Sequence, residues 1–181
     1  MDSAKLLIFS DTHGHIENLI EVFSWAKDRI PPNDKIIASV FLGDCISDLN
    51  YAANAAGFYS DWKLIRGNND FTSTVPDSAV FEYSGHRFFI CHGHRHGIYG
   101  GISRLINAAR DNDADVVMFG HTHIPYNKTI NGITLINPGS VGQPRSRAGA
   151  TFAISECIPG KPLKTSFWNI GSRGEITGIK I

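Results

Sequence analysis

Short apolar runs alternate along the first two-thirds of the chain with stretches whose apolar residues recur every three or four positions. The runs predict buried β-strands and the periodic stretches predict amphipathic helices, an alternation typical of an α/β domain. The predicted strands span residues 5–9, 36–42, 62–66, 80–83, 87–91 and 115–119. The predicted helices present Ile16, Leu19, Ile20 and Phe23, then Leu49, Ala52, Ala53 and Ala56, then Ile102, Leu105, Ile106 and Ala109. Pro31 and Pro32 would end the first helix.

The pattern changes after Thr122, where predicted strands follow one another with turns and no helix between them. We expect these strands to form a β-meander. We expect the chain as a whole to form two sheets packed face to face, with the helices outside. The five C-terminal strands are predicted at residues 124–130, 133–136, 151–155, 165–170 and 175–181.

The length of 181 residues predicts a single domain, residues 1–181, large enough to fold without disulfides. Seventeen Lys and Arg residues balance seventeen Asp and Glu residues, which argues against general nucleic-acid binding through a basic surface. No apolar run approaches the roughly 18 residues of a membrane span, and the N-terminus lacks a secretory pattern. Three widely separated cysteines fit a reducing compartment, so we expect a cytoplasmic protein.

Residues able to bind metal ions follow five of the predicted strands. Asp11 and His13 come directly after the first strand, and Asp44 after the second. The other three strand ends are followed by Asn68 and Asn69, by His92 and His94, and by His121 and His123. The carboxyl ends of strands line the binding crevice of open α/β sheets, and residues i and i+2 of an extended chain point the same way. We therefore expect these side chains to meet, with Asp11 beside His13 and His121 beside His123.

The donor set suits hard or borderline ions better than a structural zinc site, because it offers oxygen and nitrogen and no thiolate. Seven donors are too many for one tetrahedral ion but suffice for two ions that share a carboxylate. Two such ions clamp the attacking and leaving oxygens in phosphoryl displacement. Turn capping explains any one of these residues alone, but not five strand ends in succession. The candidate ligands are Asp11, His13, Asp44, Asn68, His92, His121 and His123.

The order of these groups resembles that of the calcineurin-like metallophosphoesterases. The matching motifs are Asp11-x-His13, Gly43-Asp44, Gly67-Asn68-x-Asp70, His92-Gly93-His94 and Gly120-His121-Thr122-His123. The later loop Asn137-Pro138-Gly139-Ser140-Val141 is similar to that of the small YfcE-like phosphodiesterase branch. The resemblance covers essentially the whole chain. It implies a four-layer αββα sandwich of two mixed β-sheets flanked by helices.

The resemblance also implies which residues hold each of two divalent ions. One ion would take Asp11, His13, Asp44 and His123, and the other would take Asp44, Asn68, His92 and His121, with Asp44 bridging. Manganese is the expected metal, with zinc, nickel, iron and magnesium as alternatives, because His, Asp and Asn donors accept several ions. The implied activity is hydrolysis of a small phosphate ester, a diester rather than a monoester, by a metal-bridging hydroxide.

Asn69 departs from the family pattern, in which many members carry a histidine as general acid or phosphate ligand. An amide donates a hydrogen bond but supplies no proton. We predict that Asn69 or His94 contacts the phosphate oxygens, and that His94 replaces the missing proton donor or supports a metal ligand. Together with the bridging Asp44, these are the candidate catalytic residues. Arg145 and Arg147 either bind the phosphate or are solvated loop charges.

The resemblance leaves a second function open. One retromer coat subunit has this fold and is similar to the YfcE-like branch, yet it serves as an assembly scaffold. No ligand position has been lost in this chain, which favours the enzyme. A homo-oligomer is also left open, because an edge strand of the C-terminal meander is free to pair with a second copy or to be blocked.

Overall fold

The computed structural model describes residues 4–29, 36–71 and 74–181. Each predicted strand and helix has a counterpart there, with ends that differ by a few residues. The strands are β1 (Ala4–Phe9), β2 (Ile36–Phe41), β3 (Trp62–Leu64), β4 (Ser78–Tyr83), β5 (His86–Cys91), β6 (Val116–Phe119), β7 (Pro125–Ile130), β8 (Ile133–Pro138), β9 (Ala150–Cys157), β10 (Lys164–Ile170) and β11 (Ile176–Ile179). The α-helices are α1 (Ile16–Arg29), α2 (Ser47–Ala56) and α3 (Ser103–Asp111), and short 3-10 turns lie at His94–His96 and Ile98–Gly100.

The strands form two sheets, and both are mixed. The first has six strands in the order β11-β10-β9-β1-β2-β3, in which β1, β2 and β3 are parallel. The second has five strands in the order β4-β5-β6-β8-β7, with a parallel centre of β5, β6 and β8. The sheets pack through apolar side chains that alternate along the strands, such as Leu6 and Ile8 against Ile90 and Met118.

Helices cover the outer face of each sheet. On the six-stranded sheet, α1 and α2 bury Leu19 and Leu49 beside Phe9, and the Phe23 ring stacks on Phe58 with centroids 4.8 Å apart. On the five-stranded sheet, α3 buries Leu105 among the outward-facing residues of β5, β6 and β8. This arrangement confirms the expected αββα sandwich.

The predicted C-terminal meander is wrong in part. Strands β7 and β8 join the five-stranded sheet, whereas β9, β10 and β11 form a meander in the six-stranded sheet. The alternation of apolar and polar residues indicates that a strand is half-buried, but not which sheet it completes. The 139–149 segment makes the crossing between the two sheets.

One predicted strand end also differs from the structure. The third strand ends at Leu64 rather than at residue 66, because the Arg66 amide bonds to the carbonyl of Pro76 outside the sheet. The helix stop at Pro31 and Pro32 lies outside the described residues. In the described part of the chain, none of the helices has the length and apolar character that a membrane span requires.

Candidate metal centre

The loops that follow the strands turn sharply at the predicted ligands. Asp11, His13, Asp44, His121 and His123 all have a positive φ, between 45° and 68°. The paired residues therefore do not meet by the i, i+2 alternation of an extended strand, as the sequence had suggested. A left-handed residue ends the strand at once and turns the next side chains inward. Such strain in non-glycine residues is concentrated at functional sites.

One group of side chains surrounds the Asp11 carboxylate. His123 Nε2 lies 3.1 Å from Asp11 Oδ1, and His13 Nε2 lies 3.8 Å from the same oxygen. The two imidazole Nε2 atoms are 3.4 Å apart. His13 Nε2 also lies 3.6 Å from Asp44 Oδ2, so the four side chains assigned to the first ion lie together.

A second group shares its carboxylates with the first. His92 Nε2 lies 3.5 Å from Asp44 Oδ2 and 3.8 Å from Asp11 Oδ1. The Asn68 amide oxygen is 3.2 Å from His92 Nε2. Asp44 Oδ2 therefore lies between His13 and His92, where a bridging carboxylate is expected. The His121 ring lies beside this group, with its centroid 5.0 Å from that of His92.

The carboxylate oxygens and imidazole nitrogens of these groups are arranged as donors to a cation. Asp11 Oδ1 is buried and has no hydrogen-bond donor among the described residues, although three imidazole Nε2 atoms lie within 3.8 Å of it. His92 Nδ1 donates to the Leu42 carbonyl at 2.6 Å, and His123 Nδ1 donates to the Gln143 carbonyl at 2.5 Å. These bonds place the Nε2 atom of each imidazole against the carboxylates, the orientation in which metal-binding histidines present Nε2 to an ion.

Asp44 and His92 shift each other's ionisation. Burial raises the pKa of the Asp44 carboxyl, but the His92 imidazole and two hydrogen bonds from Asn69 outweigh burial and hold that pKa well below its usual range. Burial lowers the pKa of His92, whereas Asp44 and Asp11 raise it and prevail. Burial, with the neighbouring His92 charge, lowers the pKa of His121 to about 4. The centre thus keeps an anionic carboxylate where a cation would bind.

The family model described as the calcineurin-like phosphoesterase superfamily domain matches residues 4–158. The chain belongs to this superfamily. A probable metallophosphoesterase of Bacillus subtilis, YsnB, is 31% identical over 150 residues, which are 83% of this chain and 82% of that protein. Phosphodiesterase YfcE of Escherichia coli is 27% identical over 175 residues, covering 83% and 86%.

The fold is shared with proteins named for a different function. The crystal structure of Vps29 from Entamoeba histolytica in complex with zinc superposes with a TM-score of 0.74 and 18% identity, and the match covers 98% of each chain. The calcineurin-like superfamily is metal-dependent, and in this member the candidate ligands form two overlapping groups, Asp11, His13 and His123, and Asp11, Asp44 and His92.

Asn69, the residue that departs from the family pattern, contacts Asp44. Its backbone amide donates to Asp44 Oδ1 at 2.8 Å, and its side-chain amide donates to Asp44 Oδ2 at 2.7 Å. His94 lies in the 3-10 turn after β5, with its ring centroid 5.3 Å from that of His92 and 6.0 Å from that of His121. Both residues therefore lie at the centre.

Asp70 and Gly67 support the turn that carries Asp44. The Asp70 carboxylate accepts the backbone N–H groups of Asp44 at 2.7 Å and of Gly67 and Ile46 at 2.8 Å. A Cβ at Gly67 would overlap the Asp44 carboxylate. Both residues belong to the Gly-Asn-x-Asp motif. The sequence therefore showed their spacing, but it did not show the hydrogen bonds that Asp70 accepts.

The loop of residues 137–140, with the sequence Asn-Pro-Gly-Ser, stabilises two of the turns at this calcineurin-like centre through hydrogen bonds. The Asn137 side chain donates to the Gly120 carbonyl at 2.8 Å and accepts the Gly139 N–H at 2.9 Å. Ser140 Oγ donates to the Asp11 carbonyl at 2.8 Å. The loop therefore connects the turn after β1 with the turn after β6. The motif was the only signal of this role in the sequence.

An open cavity of about 310 Å³ lies over the candidate ligands. Arg145 and Arg147 are both exposed on the same loop, and of the two only Arg145 lines this cavity. The residues that line the cavity are His13, Asp44, Asn68, Asn69, His121, His123, Gln143 and Arg145.

Proposed function

We propose that the chain is a metal-dependent phosphodiesterase. The observation that carries this proposal is the pair of overlapping ligand groups, which share the Asp11 carboxylate and have Asp44 Oδ2 between His13 and His92. Asp11, His13, Asp44 and His123 would hold one divalent ion, and Asp44, Asn68, His92 and His121 would hold the other. Manganese is the first candidate, because donors of this type accept several borderline ions.

The bound ions supply Lewis acidity, which lowers the pKa of coordinated water and neutralises charge on the phosphate oxygens. The chain's own groups position the ligands for this task. The Leu42 and Gln143 carbonyls keep His92 and His123 in the tautomer whose Nε2 is free. Asp70 fixes the backbone of Asp44.

Asn69 and His94 are the residues we assign to the substrate. A carboxamide NH₂ has two hydrogens, and one of those of Asn69 is used by Asp44, which leaves the other for a phosphate oxygen. We place the His94 imidazole against the leaving-group oxygen, since its ring lies beside both His92 and His121. Without the family's histidine at Asn69, esters with acidic leaving groups should be the better substrates.

A diester substrate needs space for the two organic groups that are esterified to its phosphate. A second cavity, of about 600 Å³, has Asn69 in its lining in common with the first. Apolar side chains that include Trp62 and Leu64 line it, together with polar groups that include Asn50. This space supports a diester with one apolar or aromatic arm. The similarity to the Escherichia coli phosphodiesterase YfcE supports the same assignment.

The test is turnover of bis(p-nitrophenyl) phosphate by protein supplied with Mn²⁺. We expect release of p-nitrophenolate, loss of release in EDTA, recovery on adding Mn²⁺, and loss in Asp44→Asn. Faster turnover of p-nitrophenyl phosphate than of the diester would overturn the diester assignment. Metal-loaded protein that turns over neither compound nor a panel of nucleotide diesters would overturn the enzymatic proposal itself.

An assembly scaffold is the second candidate, because the fold superposes on Vps29 along almost its whole length. A scaffold would retain its partners when the metal centre is disabled. Stable co-purification of a defined partner with both the wild type and Asp44→Asn, without diester turnover, would favour this candidate.

A further inference from the structure

Tyr99 and Arg145 form a hydrogen-bonded pair at the edge of the metal centre. Tyr99 Oη donates to the carbonyl of His121 at 3.1 Å and accepts a hydrogen bond from Arg145 Nη1 at 2.6 Å. The Tyr99 ring also lies beside the His121 ring, with centroids 5.1 Å apart. The Arg145 backbone N–H donates to the His123 carbonyl at 3.1 Å. Arg145 is thus attached to the loop that carries two candidate ligands directly through its backbone and, through the Tyr99 hydroxyl, by its guanidinium.

The charge of Arg145 is not matched by an acidic partner. No carboxylate in residues 4–29, 36–71 or 74–181 forms an ion pair with it, whereas Arg66 and Arg95 pair with Asp77. Its side chain lies in the wall of the 310 Å³ cavity together with His13 and Asp44. A restrained guanidinium with free N–H groups in the wall of a cavity is suited to an oxyanion.

We propose that Arg145 binds an anionic oxygen of the phosphate ester and that Tyr99 is the residue that positions it. The inference rests on the proposed function, since it names a contact to the substrate of that same centre. Tyr99 restricts a long side chain that would otherwise sample many rotamers, so less entropy is lost when the anion binds. Arg145 touches the substrate, whereas Tyr99 acts only through Arg145.

The first experiment compares Arg145→Ala with Arg147→Ala, a matched removal of one positive charge two residues away on the same loop. Arg145→Ala should raise KM for bis(p-nitrophenyl) phosphate roughly 10-fold or more, the effect of losing a hydrogen bond to a charged group, and weaken calorimetric binding of inorganic phosphate to Mn²⁺-loaded protein equally. Arg147→Ala should change neither. Unchanged phosphate binding in Arg145→Ala, or an equal loss in Arg147→Ala, would overturn the proposal.

Binding of inorganic phosphate and of inorganic pyrophosphate separates two sources of the anion. If Arg145→Ala weakens both equally, Arg145 contacts the phosphate at the metal centre. If it weakens only pyrophosphate, Arg145 contacts a second anionic group next to the scissile phosphate, and the proposed contact to the phosphate at the metal centre is overturned. These titrations need no turnover, so they remain informative even if wild-type protein hydrolyses no ester and the proposed function fails.

Tyr99→Phe tests the positioning role, because it keeps the ring and removes the hydroxyl. We expect KM to rise about 3-fold with kcat and Mn²⁺ affinity unchanged, and phosphate binding to weaken in proportion. In the Arg145→Ala background, Tyr99→Phe should have no further effect. Additive losses in the double variant, or a fall in kcat with no change in KM, would show that Tyr99 does not act through Arg145.

Discussion

Asn69 donates a hydrogen bond to each oxygen of the Asp44 carboxylate, one from its backbone amide at 2.8 Å and the other from its side-chain amide at 2.7 Å. Asp44 Oδ2 is also the atom that lies between His13 and His92, 3.6 Å and 3.5 Å from their Nε2 atoms. The residue that departs from the family pattern therefore orients the carboxylate expected to bridge two ions. Its contribution can be separated from that of the backbone, since only one of the two bonds depends on the side chain.

Asn69→Ala should weaken Mn²⁺ binding about 10- to 100-fold, as expected when a residue that orients a ligand is lost. The Asp44 carboxylate would keep the bond from the backbone amide but would rotate more freely. Isothermal titration with Mn²⁺ measures the effect. Asn54→Ala, an exposed asparagine on α2, is the control and should bind like the wild type. Equal affinity in Asn69→Ala and wild type would contradict this prediction.

Gly67→Ala should disable the centre while leaving the fold in place. The added Cβ would overlap the carboxylate of Asp44, so that side chain or its loop must move. Overpacking of this kind costs about 1–3 kcal/mol of unfolding free energy, and we expect Mn²⁺ affinity to fall with it. Gly100→Ala has open space around the new Cβ and serves as the matched control. A Gly67→Ala variant with normal metal affinity would show that Asp44 is not constrained as described.

Asn137→Ala should destabilise the protein in the absence of metal. The substitution leaves the buried Gly139 N–H without its acceptor, at about 1–3 kcal/mol for an unsatisfied group. It also removes one of two donors to the Gly120 carbonyl, which keeps the Thr122 N–H. Urea unfolding of EDTA-treated protein measures the change in unfolding free energy. The exposed Asn127 on β7 gives the control substitution, expected within about 0.5 kcal/mol of wild type. Equal stability of the two variants would be evidence against the described role of the loop.

Metal affinity should rise with pH around neutrality. In the metal-free protein, burial lowers the pKa of His92 and of His123, but the adjacent carboxylates raise both pKa values and prevail. A raised pKa means that the imidazole holds its proton to a higher pH, and a metal ion must displace that proton. Calorimetry in buffers of different ionisation enthalpy should show proton release on Mn²⁺ binding that shrinks as pH rises above these pKa values. Affinity that does not vary between pH 6 and pH 8 would refute the prediction.

The sequence by itself determined the layers and the chemistry of the centre. Buried strands and amphipathic helices are visible in local patterns, because each residue's polarity reports its own exposure. The candidate ligands could be predicted for the same reason, since Asp11, Asp44, His92 and His121 each follow a local apolar run. The order of the motifs then matched the calcineurin-like family.

Only the tertiary structure decided how these parts meet. The division of the C-terminal strands between two sheets, the left-handed turns at the ligands and the Tyr99–Arg145 bond all depend on packing between distant segments. Asn69 looked like a substrate contact in the sequence, and its bonds to Asp44 appear only when residues 25 positions apart come together. A local pattern carries no information about partners that long-range packing selects, and in this protein those partners fix the geometry of the centre.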